Sequence, residues 1–228
     1  METCTLCLSQ IERILSGRFN QGVSLNSDHF NLKHYKKGEV LFNEGGTPRG
    51  VFFIHSGLIK VIKYGIEGKE QIIEIAKVGD LVGFRAMLSD LTYNVDAIML
   101  EDTALCYVQK SDFLKEINCN EDLRNTVIRV LSKELQDRAD LLTTMAQKTV
   151  RQRTALALLL LDDIYEGKPI NLSRDDLANF VGTATETVIR LLREFKKDLI
   201  IETKGRSCLL YTSPSPRDAH ESRMPSSA

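Results

Sequence analysis

The spacing of apolar residues changes character twice along this chain. From Leu32 to about Lys110 they come in short runs with glycines between them: Val40–Phe42, Val51–Ile54, Leu58–Ile62, Gln71–Ile75, Leu81–Val82, Val95–Met99 and Ala104–Val108. Many short strands at this spacing predict a closed antiparallel β-roll or jelly roll. Beyond it the period becomes helical. Ser111–Ile117 opens a helical region, and Glu121–Gln147 reads as one long helix without Gly or Pro. At ~1.5 Å per residue it would span roughly 40 Å. Its stripe is Leu123, Val127, Val130, Leu131, Leu135, Leu142 and Met145, weakened across Gln136–Asp140. A long helix with such a seam between two domains usually packs on a partner, so Leu123, Val127, Leu131, Leu135 and Leu142 are the candidate dimer residues. The competing reading lays the helix on its own β-roll, and half of the stripe fits that.

Val150–Tyr165 is a further helix, whose Ala155, Leu156 and Leu158–Leu161 are expected to pack behind the next two helices. Arg151 and Arg153 at its start could touch phosphate or be solvated, and the solvated reading is preferred. Those two short helices surround Gly182. Ser173 is a good N-cap with Asp176 three residues on, where a capping-box partner belongs. Leu177, Phe180 and Val181 form the buried side of the first helix. Gly182 supplies the positive φ of a sharp turn. The second helix starts near Ala184–Thr185 and runs to about Lys197. Val188, Leu191, Leu192 and Phe195 make one stripe, and Glu186, Arg190, Arg193 and Lys197 lie on the opposite face. Leu199–Glu202, a Lys204–Gly205 turn and Ser207–Tyr211 read as a hairpin. Helix, glycine turn, helix and hairpin make a winged helix-turn-helix.

The charged face carries chemistry. Arginine can pair bidentately with guanine in the major groove, and glutamate can accept from cytosine N4. Glu186 and Arg190, one turn apart, could read neighbouring base pairs. The plain alternative is an exposed i,i+4 pair.

Composition changes this picture little. Net charge is −1 over 228 residues. Residues 148–206 hold 11 Lys and Arg against 9 Asp and Glu, too small an excess to argue for nucleic acid by itself. No apolar run is long enough for a bilayer, and METCTLCLSQ lacks the basic and apolar regions of a signal peptide. The five cysteines form no secreted disulfide framework. A reduced cytoplasmic protein with no membrane partner is expected. Nucleophile motifs, phosphate loops and paired metal-ligand histidines are not visible, and His29, His34, His55 and His220 are scattered, so an enzyme is not expected.

Glu186-Thr187-Val188-Ile189-Arg190, followed by a Leu-Ile pair and a Lys-Gly turn, resembles the recognition helix and wing of the CRP/FNR regulator family. KKGEVLFNEG and GVFFIHSGLIKV resemble its β-roll. The resemblance implies an α+β chain: an N-terminal cyclic-nucleotide-binding-type β-roll (jelly roll), a long dimerisation helix and a C-terminal winged helix-turn-helix. It implies a sequence-specific transcription regulator, a homodimer on an inverted-repeat operator in double-stranded DNA, with RNA polymerase as a partner. Glu186 and Arg190 would read bases; Thr185, Thr187, Arg193, Lys197 and Lys204 would support them or touch phosphate. The expected boundaries are 1–118 for the β-roll with short N-terminal helices, 119–147 for the dimer helix, 148–211 for the DNA-binding domain and 212–228 for a disordered tail. The tail, TSPSPRDAHESRMPSSA, departs from the family's usual ending and is assigned no function. The competing reading is a ligand-sensing module whose helical C-terminus binds a protein instead of DNA.

The family's signals can be tested on the residues. Cyclic AMP needs a carboxylate for the ribose and an arginine beside Ser or Thr for the phosphate. The resemblance puts Phe84 at the first position and Tyr93 at the second. Arg85 is a lone anion candidate, Asn94 adjoins Tyr93, and Phe84 and Tyr93 are expected to fill the pocket or to line it for another ligand. Cyclic AMP is therefore not expected. Iron–sulfur sensors of the family use N-terminal cysteines plus one in the β-roll. Cys4, Cys7 and Cys106 resemble part of that set, but four ligands are normal and Arg13 stands near the missing one. No cofactor is predicted, with an iron–sulfur cluster kept as the lesser alternative.

Overall fold

The computed structural model describes residues 31–65, 67–205 and 207–210. The expected N-terminal helices, Cys4, Cys7 and the tail lie outside them. The chain divides into two compact units at Gln147/Lys148.

Among the described residues the first unit holds eight strands: β1 (Asn31–Tyr35), β2 (Val40–Phe42), β3 (Gly50–Ser56), β4 (Ile59–Tyr64), β5 (Glu70–Ala76), β6 (Leu81–Val82), β7 (Asp96–Met99) and β8 (Thr103–Gln109). They form two antiparallel sheets, ordered β1-β8-β3-β6 and β2-β7-β4-β5. Strand β1, NLKHY, is mostly polar and escapes an apolar-run search; it forms by pairing along β8, with Leu32 opposite Cys106. The β3 run is apolar on both faces because both faces are covered. Phe52 and Ile54 point into the space between the sheets with Ile59, Ala76, Ala97, Met99 and Leu105. Val51 and Phe53 point the other way, towards the helices. Period-two alternation thus sends successive residues of one strand into two separate cores.

Three helices among the described residues pack on that second core: α1 (Phe84–Leu88), α2 (Lys110–Cys119) and α3 (Glu121–Gln147). Asn120 breaks α2 from α3 with extended dihedrals, and its Oδ1 accepts from the Leu123 amide at 3.0 Å. Leu123 and Val127 of α3 are buried beside Phe53, Phe84, Phe113 and Cys106. These two members of the expected dimer stripe therefore belong to the chain's own core, with Val130 and Leu131 partly buried next to them. The face left open carries Ile128, Leu135 and Leu142, exposed by 54%, 74% and 71% and spaced by heptads.

The second unit starts with α4 (Val150–Ile164), whose N-terminus is closed by a capping box between Thr149 and Gln152. Thr154, Ala157, Leu158 and Leu161 face inward. Leu159 and Leu160 are more than half exposed, so only part of the leucine run packs as expected. The run is wider than the stripe a helix of this kind can bury. Next come α5 (Arg174–Val181), α6 (Thr185–Lys197), β9 (Ile201–Lys204) and β10 (Ser207–Leu210). The hairpin is antiparallel, with Ile201 opposite Leu210. It begins later than expected. Leu199 has φ 56 and, with Ile200, ends the helix: the Leu199 amide reaches Lys196 O and the Ile200 amide reaches Phe195 O. The hairpin's second strand is also tied back to the loop before α5, where Ile170 and Cys208 exchange backbone hydrogen bonds of 2.7 and 3.0 Å. Among the described residues no helix is long and apolar enough to cross a membrane.

Candidate nucleic-acid interface

Helix α6 is positioned by its own apolar stripe. Val188, Leu191, Leu192 and Phe195 are each at most 4% exposed, on a helix packed against α4, α5 and β9. The turn into α6 follows the expected chemistry. Ser173 Oγ accepts from the Asp176 amide at 2.9 Å and donates to the Asp176 carboxylate at 2.6 Å. Gly182 closes α5 in the left-handed region, φ 73. Burying one side of α6 turns Glu186, Arg190, Arg193 and Lys197 outward, and all four are exposed. Glu186, Arg193 and Lys197 hold no ion pair among the described residues. Lys204 is exposed at the end of β9.

Several side chains around this face also make contacts within the chain. Thr185 Oγ1 donates to Asp175 Oδ1 at 2.8 Å, stitching the start of α6 to the first turn of α5. Thr187 is half-buried. Arg190 Nη1 donates to Glu194 Oε1 at 2.7 Å. Arg151 is not simply solvated: its Nη1 donates to Glu194 Oε2 at 2.7 Å, its Nη2 to Asp198 Oδ2 at 3.0 Å, and it lies 4.7 Å over the Phe195 ring. Arg153 is half-buried and donates to the Gly182 carbonyl at 3.2 Å. Both arginines pack the helix-turn-helix. Sequence spacing cannot show this, because their partners lie 29 to 47 residues away. The wing is held by Arg174 to Gly205 O and Lys196 to Thr203 O.

In the β-roll, the region matching a nucleotide pocket is nearly closed. Its lining includes Phe42, Val61, Gly83, Arg85, Tyr93 and Asn94, around a space of about 20 Å³. Tyr93 stacks on Phe42 with centroids 3.8 Å apart. Phe84, expected to fill or line the pocket, lines this space and, at 2% exposed, also joins the core between sheet and helices; Phe42 is a further lining residue. Arg85 is not a lone anion site. Its Nη1 donates to Glu134 at 2.9 Å and its Nη2 to Glu74 at 3.3 Å. Glu74 also accepts from Arg138 at 2.9 Å, so α1, β5 and α3 meet in one ionic cluster. Burial pushes the Glu134 carboxyl up, against the pull of Arg85. Asn94 is exposed, and its carbonyl accepts from Lys63 at 2.6 Å.

Residues 32–120 match the family model for a cyclic nucleotide-binding domain, and residues 152–213 match that for a Crp-like helix-turn-helix domain. The transcriptional activator protein anr of Pseudomonas aeruginosa is 31% identical over 187 residues, 78% of this chain and 75% of that protein. The chain belongs to the CRP/FNR family. A second relative, the fumarate and nitrate reduction regulatory protein of Yersinia pestis, is 30% identical over 182 residues, 76% of this chain and 72% of the relative. The fold of this CRP/FNR regulator matches FixK2 from Bradyrhizobium japonicum with TM-score 0.73 at 23% identity, over 84% of this chain and 96% of the other. It matches the c-di-GMP-responsive regulator CLP of Xanthomonas campestris with TM-score 0.71 at 20% identity, over 90% and 99%. The protein is a DNA-binding transcription regulator, and its family is one of regulators, not enzymes.

The family's cofactors can be set against these residues. A cyclic nucleotide does not fit. At the positions that the resemblance gives to the phosphate and ribose anchors stand a stacked Tyr93 and a buried Phe84, and the nearby Arg85 is already held by two carboxylates. For a cluster, Cys106 is the one candidate among the described residues. It is 1% exposed, in the core between sheet and helices. Cys119 and Cys208 are free thiols. No group of three or more His, Cys, Asp or Glu able to hold a metal occurs among the described residues.

Proposed function

We propose that the chain works as a two-fold homodimer on an inverted-repeat operator, with α6 in the major groove and Glu186 and Arg190 reading base edges. The observation that carries this is the division of α6: one face is buried in the helix-turn-helix, and the other presents Glu186, Arg190, Arg193 and Lys197 to solvent. Arg193, Lys197 and Lys204 suit phosphate, giving register and salt dependence but little sequence preference. Thr185 supports the interface from within, by fixing the start of α6. Dimerisation runs through the heptad face of α3, Ile128, Leu135 and Leu142, with Leu131 at its edge. Two recognition helices must lie about one DNA turn, ~34 Å, apart for both half-sites to be read. The regulator acts in the cytoplasm. Anr is named an activator, which supports RNA polymerase as the partner downstream of DNA binding. Cyclic AMP is not the signal, and no resident cofactor is part of this reading.

Selection of bound duplexes from a random pool tests it. An inverted repeat should emerge, and Arg190→Ala should weaken the selected site by roughly 2–6 kcal/mol, counting ~1–3 kcal/mol in each half-site. A pool with no repeat, or equal losses on selected and random duplexes, would favour a helix that binds protein.

A further inference from the structure

We propose that Glu194 is a positioning residue that sets the base preference of Arg190, and that Arg151 clamps it from behind the recognition helix. The inference rests on Arg190 reading a base.

The geometry is a relay from the core to the surface. Phe195 is 4% exposed. The Arg151 guanidinium lies on its ring, 4.7 Å from the centroid, and is fixed at its Nη2 by Asp198. Arg151 Nη1 holds one oxygen of Glu194 at 2.7 Å. The other oxygen of Glu194 holds Arg190 Nη1, also at 2.7 Å. Each carboxylate oxygen thus has its own arginine, one anchored and one outward. An exposed Glu–Arg pair alone would contribute only a few tenths of a kcal/mol and would sample many rotamers. The second arginine removes that freedom from Glu194.

The chemistry depends on which edge of Arg190 is engaged. A guanidinium offers five N–H donors in a planar fork. Glu194 occupies Nη1, which leaves Nε and Nη2, an adjacent pair of parallel N–H groups. Guanine O6 and N7 accept such a pair. Glu194 therefore orients the arginine without blocking its reading edge. It also offsets the arginine's charge towards nearby phosphates, so contact with any duplex is weakened while contact with one base is favoured.

The test uses the full chain and the duplex selected by the wild type. Binding is measured to that duplex, to versions changed at single base pairs and to a scrambled duplex. Glu194→Gln should bind the scrambled duplex more tightly. At the base pair read by Arg190 it should lose preference roughly 3- to 10-fold, part of the ~5- to 150-fold a bidentate pair supplies. Preference at the pair read by Glu186 should not change. In an Arg190→Ala background, Glu194→Gln should leave every base preference where Arg190→Ala put it. Arg151→Met should relax the same base pair, less strongly. Thermal melts of each variant within a few degrees of wild type exclude a folding effect. Undiminished preference in Glu194→Gln, or a loss that recurs in the Arg190→Ala background, would overturn the proposal while base reading stands. Undiminished preference in Arg190→Ala would overturn base reading itself, and the proposal with it.

Discussion

The ring of Tyr93 lies against that of Phe42, planes 10° from parallel and centroids 3.8 Å apart. The pair lines the space of about 20 Å³ that the resemblance assigns to a nucleotide. Cyclic AMP should accordingly bind no better than about millimolar, ~4 kcal/mol. Calorimetry giving a micromolar constant would refute this. Tyr93→Ala should open a cavity at a cost of about 3–5 kcal/mol, read from denaturant melts.

The same tyrosine gives a pH signature. Burial, with a smaller push from Tyr107, raises its phenol from the usual 10.0 to about 12. The folded state therefore holds the proton more tightly than the unfolded chain does. The associated stability is complete below pH 10 and is lost as the pH climbs through about 12. Tyr93→Phe keeps the stack and lacks the titration. Its stability relative to wild type should rise across that window, by up to about 3 kcal/mol. Tyr35 and Tyr107 are also raised, so the comparison between the two proteins is the measurement. Parallel curves would show that the phenol is not buried in solution.

Two sets of leucine changes on α3 should behave differently. Leu135→Glu with Leu142→Glu should give a folded monomer that no longer binds an operator tightly, because both side chains are exposed in the single chain. Leu123→Glu should instead unfold the β-roll, since Leu123 is 2% exposed in its core. Sedimentation separates the two effects. A wild type that sediments as a monomer at micromolar concentration would remove the dimer from the proposal.

Arg193→Ala and Lys197→Ala should weaken all duplexes about equally and lower the salt slope by about one per contact. A loss confined to the selected site would make either residue a base reader. Titrating binding against salt on selected and scrambled duplexes decides it.

Most of this architecture was legible in the residues. Ser173, Gly182 and the Val188–Phe195 stripe each have a local reason to sit where they do, and local reasons survive into the fold. The exceptions share one cause. Periodicity says which residues share a face, but not which neighbour covers that face. The α3 stripe therefore looked like one seam, although Leu123 and Val127 turn inward and Leu135 and Leu142 do not. Arg151 looked solvated because Glu194 and Asp198 are distant in sequence. Phe42 belongs to an apolar run that predicts only a strand, and it takes the folded sheets to bring it against Tyr93. Leu199 and Ile200 carry strand-like side chains, but the end of α6 determines their backbone.

The backbone bridge between Ile170 and Cys208 places a thiol where it can act as a clock. Cys208 is 2% exposed, and burial raises its pKa, so a thiol reagent cannot reach it while the hairpin is docked. Cys119 is free and exposed. With label read at each residue separately by peptide mass, Cys119 should react in a first phase, at once, and Cys208 in a second, at the rate of wing detachment. DNA that grips the wing at Lys204 should slow only the second phase, so a reagent and a stopwatch would follow operator engagement in the unmodified protein.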